Sequence, residues 1–390
     1  MKEIRIGDIC EIINGFAFKS KKYVPDGIRI IRITNVQKGY IEDSTPVFYR
    51  DNSPNLERYM LKEGDLLISL TGNVGRVAIV DKKFLPAALN QRVACLRMKT
   101  NQVKKKYLFY FLNSDFFEQH CLQSSKGIAQ KNMSTEWLKN YKIPFYSNLE
   151  QTEIVKIFDI LSILISLRKQ ELKEYDQLLK SRFVEMFGDC KINPKGWKTR
   201  CLEEIAEVGS SRRVFVEELQ ETGIPFYRGT EIGALAEGKE ITPELFITEK
   251  HYAELCRATG KPQTGDLLMP SICPDGRIWM VNADKPFYFK DGRVLWIHAI
   301  DRNYNPVFLL YTLKDRIMSD YSSIASGTTF AELKIFALKK CRIFDVPITL
   351  QNEFAAFVAQ TDKSKLIIQK SLDELETLNK ALMQKYFGGN

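Results

Sequence analysis

The sequence predicts an α+β protein built twice: two similar α+β domains joined by two long helices that pair as an antiparallel coiled coil, with pseudo-two-fold symmetry. Three observations predict it. The stretch GDLLISLTGNVGR at 64–76 returns at 265–277 as GDLLMPSICPDGR. Short apolar-alternating runs between Gly, Pro, Asn and Asp fill the first part of each half, the pattern of half-buried strands. A long stretch free of Gly and Pro, with apolar residues spaced 4,3,4,3, ends each half. A length of 390 residues suits two domains, and 44% hydrophobic content supplies real cores.

The first domain spans 1–148. Its strands are expected at IRIIRI, GDLLISL, RVAIV and VACLRM, followed by a helix at YLFYFLNSDFFEQH. The first spacer helix spans 149–190. From Ile154 to Met186, eight of the ten positions at 4,3,4,3 spacing are apolar, and no Gly or Pro intervenes before Gly188. Such a helix would run about 54 Å, longer than a globule of this size, so its stripe needs a partner. The second domain, 191–348, repeats the plan with DLLMP, RIWMV and RVLWIHA, then a helix from near Phe308. The second spacer helix, 349–390, carries seven apolar residues in the ten matching positions from Phe354 to Tyr386. Each helix leads away from its own globule, so side-by-side pairing requires antiparallel helices. One chain then imitates a symmetric dimer.

The repeat unit is half the chain. An offset of 201 pairs Gly64 with Gly265, Asp65 with Asp266, Gly75 with Gly276, Arg76 with Arg277 and Arg92 with Arg293. An offset of 196 pairs Arg32 with Arg228 in GIRIIRIT and GIPFYRGT. Asp65 and Asp266 read as turn caps. LEQTEI at 149–154 recurs as LQNEFA at 350–355, and MFG at 186–188 recurs as YFG at an offset of 200.

The formal net charge of +9 is unevenly placed. Residues 1–149 hold 24 Lys and Arg against 14 Asp and Glu, whereas residues 191–348 hold 22 against 21. The excess lies in the globules, chiefly the first, as suits a polyanionic partner. Eight cysteines form no CxxC pair and three histidines share no ligand spacing, which argues against structural zinc and a disulfide framework. No apolar signal core opens the chain, and the greasiest run, IFDILSILISL, is broken by Asp159, Ser162 and Ser166. A cytoplasmic location is expected.

Motifs of catalysis are absent: no GxGxxG after a strand, no Walker sequence, no HExxH, no GxSxG. NPVF at 305–308 reads as a turn before a helix, and GNVG at 72–75 is a lone GxxG. A binding protein without catalytic residues or a cofactor of its own is the simplest account. A fused or stand-alone DNA methyltransferase or nuclease, and a coiled-coil scaffold that binds protein, are the alternatives.

The run GIAQKNMSTEWLKNYKIPFYSNLEQTEIVKIFDIL at 127–161 resembles the junction, before a long conserved helix, in specificity subunits of type I restriction–modification systems. GDLLISLTGNVGRVAIV resembles that family's GDLL…GxxGr strand pair. The second copy, GTTFAELKIFALKKCRIFDVPITLQNEFAAFV, fits more loosely, with Val-Pro for Ile-Pro and no QKN. The resemblance covers the whole chain and implies two target-recognition domains, each followed by a conserved helix. It further implies that each domain binds one half of a split double-stranded DNA site, with the paired helices as the ruler between halves. Two methyltransferase subunits carrying S-adenosylmethionine would methylate an adenine in each half, and restriction (motor-nuclease) subunits would cleave.

If the two domains read different half-sites, most of the base-reading residues cannot be the shared ones. Arg32, Arg76, Arg92, Arg228, Arg277 and Arg293 are therefore candidates for phosphate contacts, which position without specifying. Polar residues of the same loops that do not repeat are candidates for base contacts: Asn35, Asn73, Asn90, Gln91, Lys126, Gln130, Lys131 and Asn132 in the first copy, Thr328 and Thr329 in the second.

Overall fold

The computed structural model describes residues 2–50, 54–125, 132–283, 285–326 and 331–388. The chain groups into two compact units, Met1–Gln170 with Gln369–Asn390, and Glu171–Ile368.

In the first unit, Leu66–Ser69 is the hub of an antiparallel four-stranded sheet, between Val77–Ile79 and Val93–Met98, with Cys10–Asn14 beyond. Every residue of Leu66–Ser69 is buried, so this short run has core on both faces. A second sheet orders Tyr23–Val24, Phe48–Tyr49, Ile28–Ile31 and Ala87–Leu89, the last pair parallel. Lys142–Pro144 returns to pair with Glu3–Arg5 and closes the unit. The expected helix at YLFYFLNSDFFEQH is two helices, Lys105–Leu112 and Asp115–Ser124. Ser114 breaks it because its hydroxyl accepts from Phe117 N at 3.2 Å and starts a new helix.

The second unit repeats this order. Leu267–Pro270 lies between Trp279–Met280 and Val294–His298, with Glu207–Gly209 beyond, and Thr199–Cys201 pairs with Arg342–Phe344. Ile224–Tyr227 runs parallel to Tyr288–Phe289. Here the helix is unbroken, Pro306–Ile324, with Asn305 as its cap and Pro306 in its first turn. Two helices were not legible in the sequence, Gly229–Ala236 and Glu249–Thr259.

The repeated letters make the same backbone bonds in both units. Gly64 N donates to Val80 O at 2.8 Å, and Gly265 N to Val281 O at 2.9 Å. The Asp65 carboxylate accepts from Lys62 N at 2.8 Å, and Asp266 from Gln263 N at 2.9 Å, which is the turn cap expected of both. Leu70 N donates to Arg92 O at 3.0 Å, and Ser271 N to Arg293 O at 2.9 Å. Gly75 and Gly276 turn with φ +85° and +66°, and a Cβ at either would press on the following helix, 3.0 Å from Cys121 or Lys314.

The long helices are Asn148–Phe187 and Ile348–Phe387, 40 residues each, or about 60 Å. In each unit they run antiparallel. In the first, Phe158 stacks on Phe387 with centroids 5.5 Å apart, and Lys169 meets Glu376 at 2.8 Å. In the second, Phe183 and Phe187 both lie 5.5 Å from Phe354, and Lys365 meets Asp176 at 2.6 Å. The final aromatic of each repeat enters a globule: Phe387 contacts Tyr107 and Phe111, and Phe187 contacts Phe308. In the first helix the expected stripe is buried only toward its ends: Ile154, Phe158, Leu161, Leu179 and Met186 are buried, whereas Ile165, Arg168, Leu172, Tyr175 and Arg182 are half-buried.

Buried glutamines fasten each helix to its globule. Gln151 accepts from Lys104 N at 2.8 Å and donates to Gln102 O and Tyr146 O at 3.1 and 2.9 Å. Gln351 accepts from Asn305 N at 2.8 Å and donates to Asn303 O and Val346 O at 3.1 and 2.7 Å. Both glutamines belong to the repeated LEQ/LQ motif.

Candidate nucleic-acid interface

In the second unit, the strand ends gather positive charge. Arg228 follows Ile224–Tyr227, Arg277 follows the glycine turn at Gly276, and Arg293 precedes Val294–His298. The bonds from Ser271 N to Arg293 O and from Lys290 N to Tyr227 O, both 2.9 Å, bring these ends together. Arg228, Arg277, Lys290 and Arg293 line one open pocket of about 400 Å³, with Ser271 and Ile272. The helix Gly229–Ala236 passes beside it. Gly233 leaves room for Arg277, since a Cβ there would stand 2.9 Å from its Nη1. The three arginines singled out by the repeat thus converge. Lys290 was missed because the matching position of the first copy is Leu89, so a search for shared residues passes it by.

Each of these arginines faces a carboxylate. Arg228 meets Glu231 at 2.6 Å and Glu244 at 3.1 Å. Arg277 meets Asp275 at 2.8 Å and Glu237 at 3.5 Å. Arg293 pairs with Glu332. Partial burial works against the Glu231 charge, but Arg228 and nearby backbone N–H groups hold its carboxyl down at about 2.

The corresponding strand ends of the first unit carry Arg32, Arg76 and Arg92. Arg32 Nη2 donates to Thr45 O at 3.0 Å. Arg76 Nη1 donates to the Gln37 amide oxygen, and Arg76 N to Ser69 Oγ at 3.0 Å. With its amide oxygen turned inward, Asn73 accepts from Arg76 Nη1 and Nη2 at 3.3 and 3.2 Å. Arg92 and Gln91 are exposed, and Asn132 bridges to Thr71 at the rim. Among the described residues, Arg32 Nε and Thr71 Oγ1 are buried with no hydrogen-bond partner. Asn35 and Asn90 sit differently from the other candidates. Both are buried, Asn35 accepting from Arg32 N at 2.9 Å and donating to Glu42 O at 2.7 Å, and Asn90 accepting from Arg92 N at 3.3 Å. They hold the loops that carry the arginines. Cys273, in the loop opposite TGNV, is likewise buried.

Lys126, Gln130, Lys131, Thr328 and Thr329 lie outside the described residues. Their flanks are anchored alike in both units: Met133 N donates to Leu70 O and Leu333 N to Ser271 O, each at 2.8 Å. Among the described residues, no three His, Cys, Asp or Glu side chains gather as a metal site, and no helix is long and apolar enough to cross a membrane. The chemistry on offer is cationic hydrogen bonding from loops at the strand ends, suited to phosphate oxygens and base edges.

Comparison with known proteins gives a consistent picture. The family model of the type I restriction modification DNA specificity domain matches residues 1–175 and again 194–377. The chain is 27% identical to the MjaVIII specificity subunit of Methanocaldococcus jannaschii, over 49% of this chain and 46% of that protein. It is 32% identical to the Escherichia coli EcoAI specificity subunit, over 48% of this chain and 33% of that protein, so it matches less than half of either relative. Against the E. coli EcoBI specificity subunit, identity is 28% over 99% of this chain and 85% of that protein. The crystal structure of an S subunit from M. genitalium shares the fold, with TM-score 0.57, 16% identity and coverage of 100% of this chain and 96% of that one. So does a chain from a study of assembly and conformational transition in a type I R-M system, with TM-score 0.58, 17% identity and coverage of 100% and 97%.

Proposed function

The chain belongs to the type I restriction–modification DNA specificity family, and from that premise we propose that it is the DNA-reading subunit of such a complex, recognising a bipartite site with one half per domain and leaving the chemistry to its partners. One observation carries the reading: the arginines shared by the two copies stand on matching strand ends, and in the second unit three of them line a single pocket with Lys290. Arg32, Arg76, Arg92, Arg228, Arg277 and Arg293 contact phosphates and set the register. Asn73, Gln91, Lys126, Gln130, Lys131, Asn132, Thr328 and Thr329, which do not repeat, supply base contacts. Asn35 and Asn90 act one step back, by holding the arginine-bearing loops.

The partners are two methyltransferase subunits, which carry S-adenosylmethionine, and restriction subunits. Support for a docked partner comes from the first long helix, where Ile160, Ile163, Leu164 and Leu167 stand 58%, 59%, 37% and 49% exposed at helical spacing. The test is to express the chain with its methyltransferase partners and map methylated adenines. One bipartite motif is expected, and exchanging residues 191–348 for those of a relative should change one half only. A motif indifferent to this chain refutes the proposal.

A further inference from the structure

We infer that the two domains hold DNA unequally: the first supplies the sequence-independent, salt-sensitive grip, while carboxylates in the second suppress its grip on non-cognate DNA. This rests on the DNA-reading function proposed above. Two independent observations lead to it. The first is what each shared arginine faces. In the first unit Arg32 and Arg76 bond neutral oxygens, of Thr45 and Gln37, and among the described residues no carboxylate pairs with Arg92. In the second unit Arg228, Arg277 and Arg293 are each paired to carboxylates, of Glu231 and Glu244, of Asp275 and Glu237, and of Glu332. The second is the charge of the sequence itself, with 24 basic against 14 acidic residues over 1–149 but 22 against 21 over 191–348.

The physical consequence concerns ions rather than contact strength. An arginine that neutralises a phosphate releases condensed counterions, and that release drives non-specific binding. An arginine already balanced by a carboxylate brings no net charge, so its approach to a phosphate releases little. An exposed ion pair opens at small cost, so the acids do not bar the site. They remove the gain that any duplex would give, and leave discrimination to contacts that only the right half-site completes. Glu244, Asp275 and Glu332 are thereby specificity-determining residues. Glu231 also accepts from Arg228 N at 2.8 Å, so it serves the frame as well.

The test uses the full chain assembled with its methyltransferase partners and a random-sequence duplex, with affinity measured by fluorescence anisotropy between 0.05 and 0.3 M salt, a range of roughly six-fold. Glu332→Gln and Glu244→Gln should each tighten binding about five-fold at 0.15 M salt and steepen the salt slope by about one ion. Arg32→Ala and Arg76→Ala should weaken it by a similar factor, whereas the double variant Arg293→Ala with Glu332→Gln, which removes an arginine and its carboxylate together, should change it less than about two-fold. Glu254→Gln, the same charge change on an exposed helix position that does not line the pocket, is the control and should stay within about two-fold. Unchanged urea midpoints verify that the variants fold, and Glu332→Ala serves if the amide perturbs its strand. If the two glutamate variants leave affinity and slope at wild-type values, or match the Glu254 control, the inference falls while DNA reading stands. If no arginine in either unit affects binding, DNA reading itself falls, and the inference with it.

Discussion

Replacing Gln351 with Leu tests the joint between the second globule and its helix. The Gln351 side chain is fully buried and makes three hydrogen bonds to backbone groups. Leu has nearly the same volume, so the change opens little cavity and its effect is that of lost partners. Asn303 lies at the surface, where its carbonyl finds water, but Val346 is buried and Asn305 half-buried. Two buried groups left unpaired, at roughly 1–3 kcal/mol each, give a loss of about 2–6 kcal/mol. Urea unfolding followed by tryptophan fluorescence reads this directly, because Trp197, Trp279 and Trp296 all belong to the second unit and only Trp137 to the first. Gln360→Ala, exposed on the same helix, should stay within about 0.5 kcal/mol of wild type. A Gln351→Leu shift smaller than about 1 kcal/mol would falsify the view that this amide fastens the helix. The same loss is expected for Gln151→Leu, followed through Trp137.

Four further outcomes are expected. Arg76→Ala should weaken binding to every duplex and lower the salt slope by about one ion; a change confined to base preference would contradict a phosphate-contacting role. Ile163→Glu, on the exposed stripe, should abolish co-purification with the proposed methyltransferase partners while moving the urea midpoint by no more than about 0.5 kcal/mol equivalent. Phe387→Ala should cost the first unit about 3–5 kcal/mol, since its ring is fully buried against Tyr107, Phe111 and Phe158. The Glu231 carboxyl sits at about 2 rather than its ordinary 4.5, so the stability it contributes is full above pH 4.5 and fades as pH falls toward 2. Urea midpoints at pH 6 and pH 3 should therefore converge more closely for Glu231→Gln than for wild type.

The sequence alone determined that the chain is a duplicated α+β protein with two long helices. The reason is that repetition and periodicity are local and additive: GDLL, GR and the LEQ/LQ glutamines each perform the same backbone task wherever they recur. It also singled out the six shared arginines, because residues that two domains would keep if they read different sequences would serve frame or phosphate. Tertiary structure alone decided the rest. Asn35 and Asn90 look like base readers in the sequence, but folding turns their amides inward onto neighbouring backbone. Lys290 joins the pocket through the parallel pairing of Tyr288–Phe289 with Ile224–Tyr227, strands some sixty residues apart, and no pattern near it announces that. The apolar stripe of the first helix is continuous as a string of letters, yet burial follows how much of the helix a globule and the other helix cover, and its middle is covered least. The carboxylates opposite Arg228, Arg277 and Arg293 include Glu244 and Glu332, distant from them in sequence. A charge count shows that the second domain is nearly neutral, but only three-dimensional proximity shows that its acids stand directly against the arginines proposed to meet DNA.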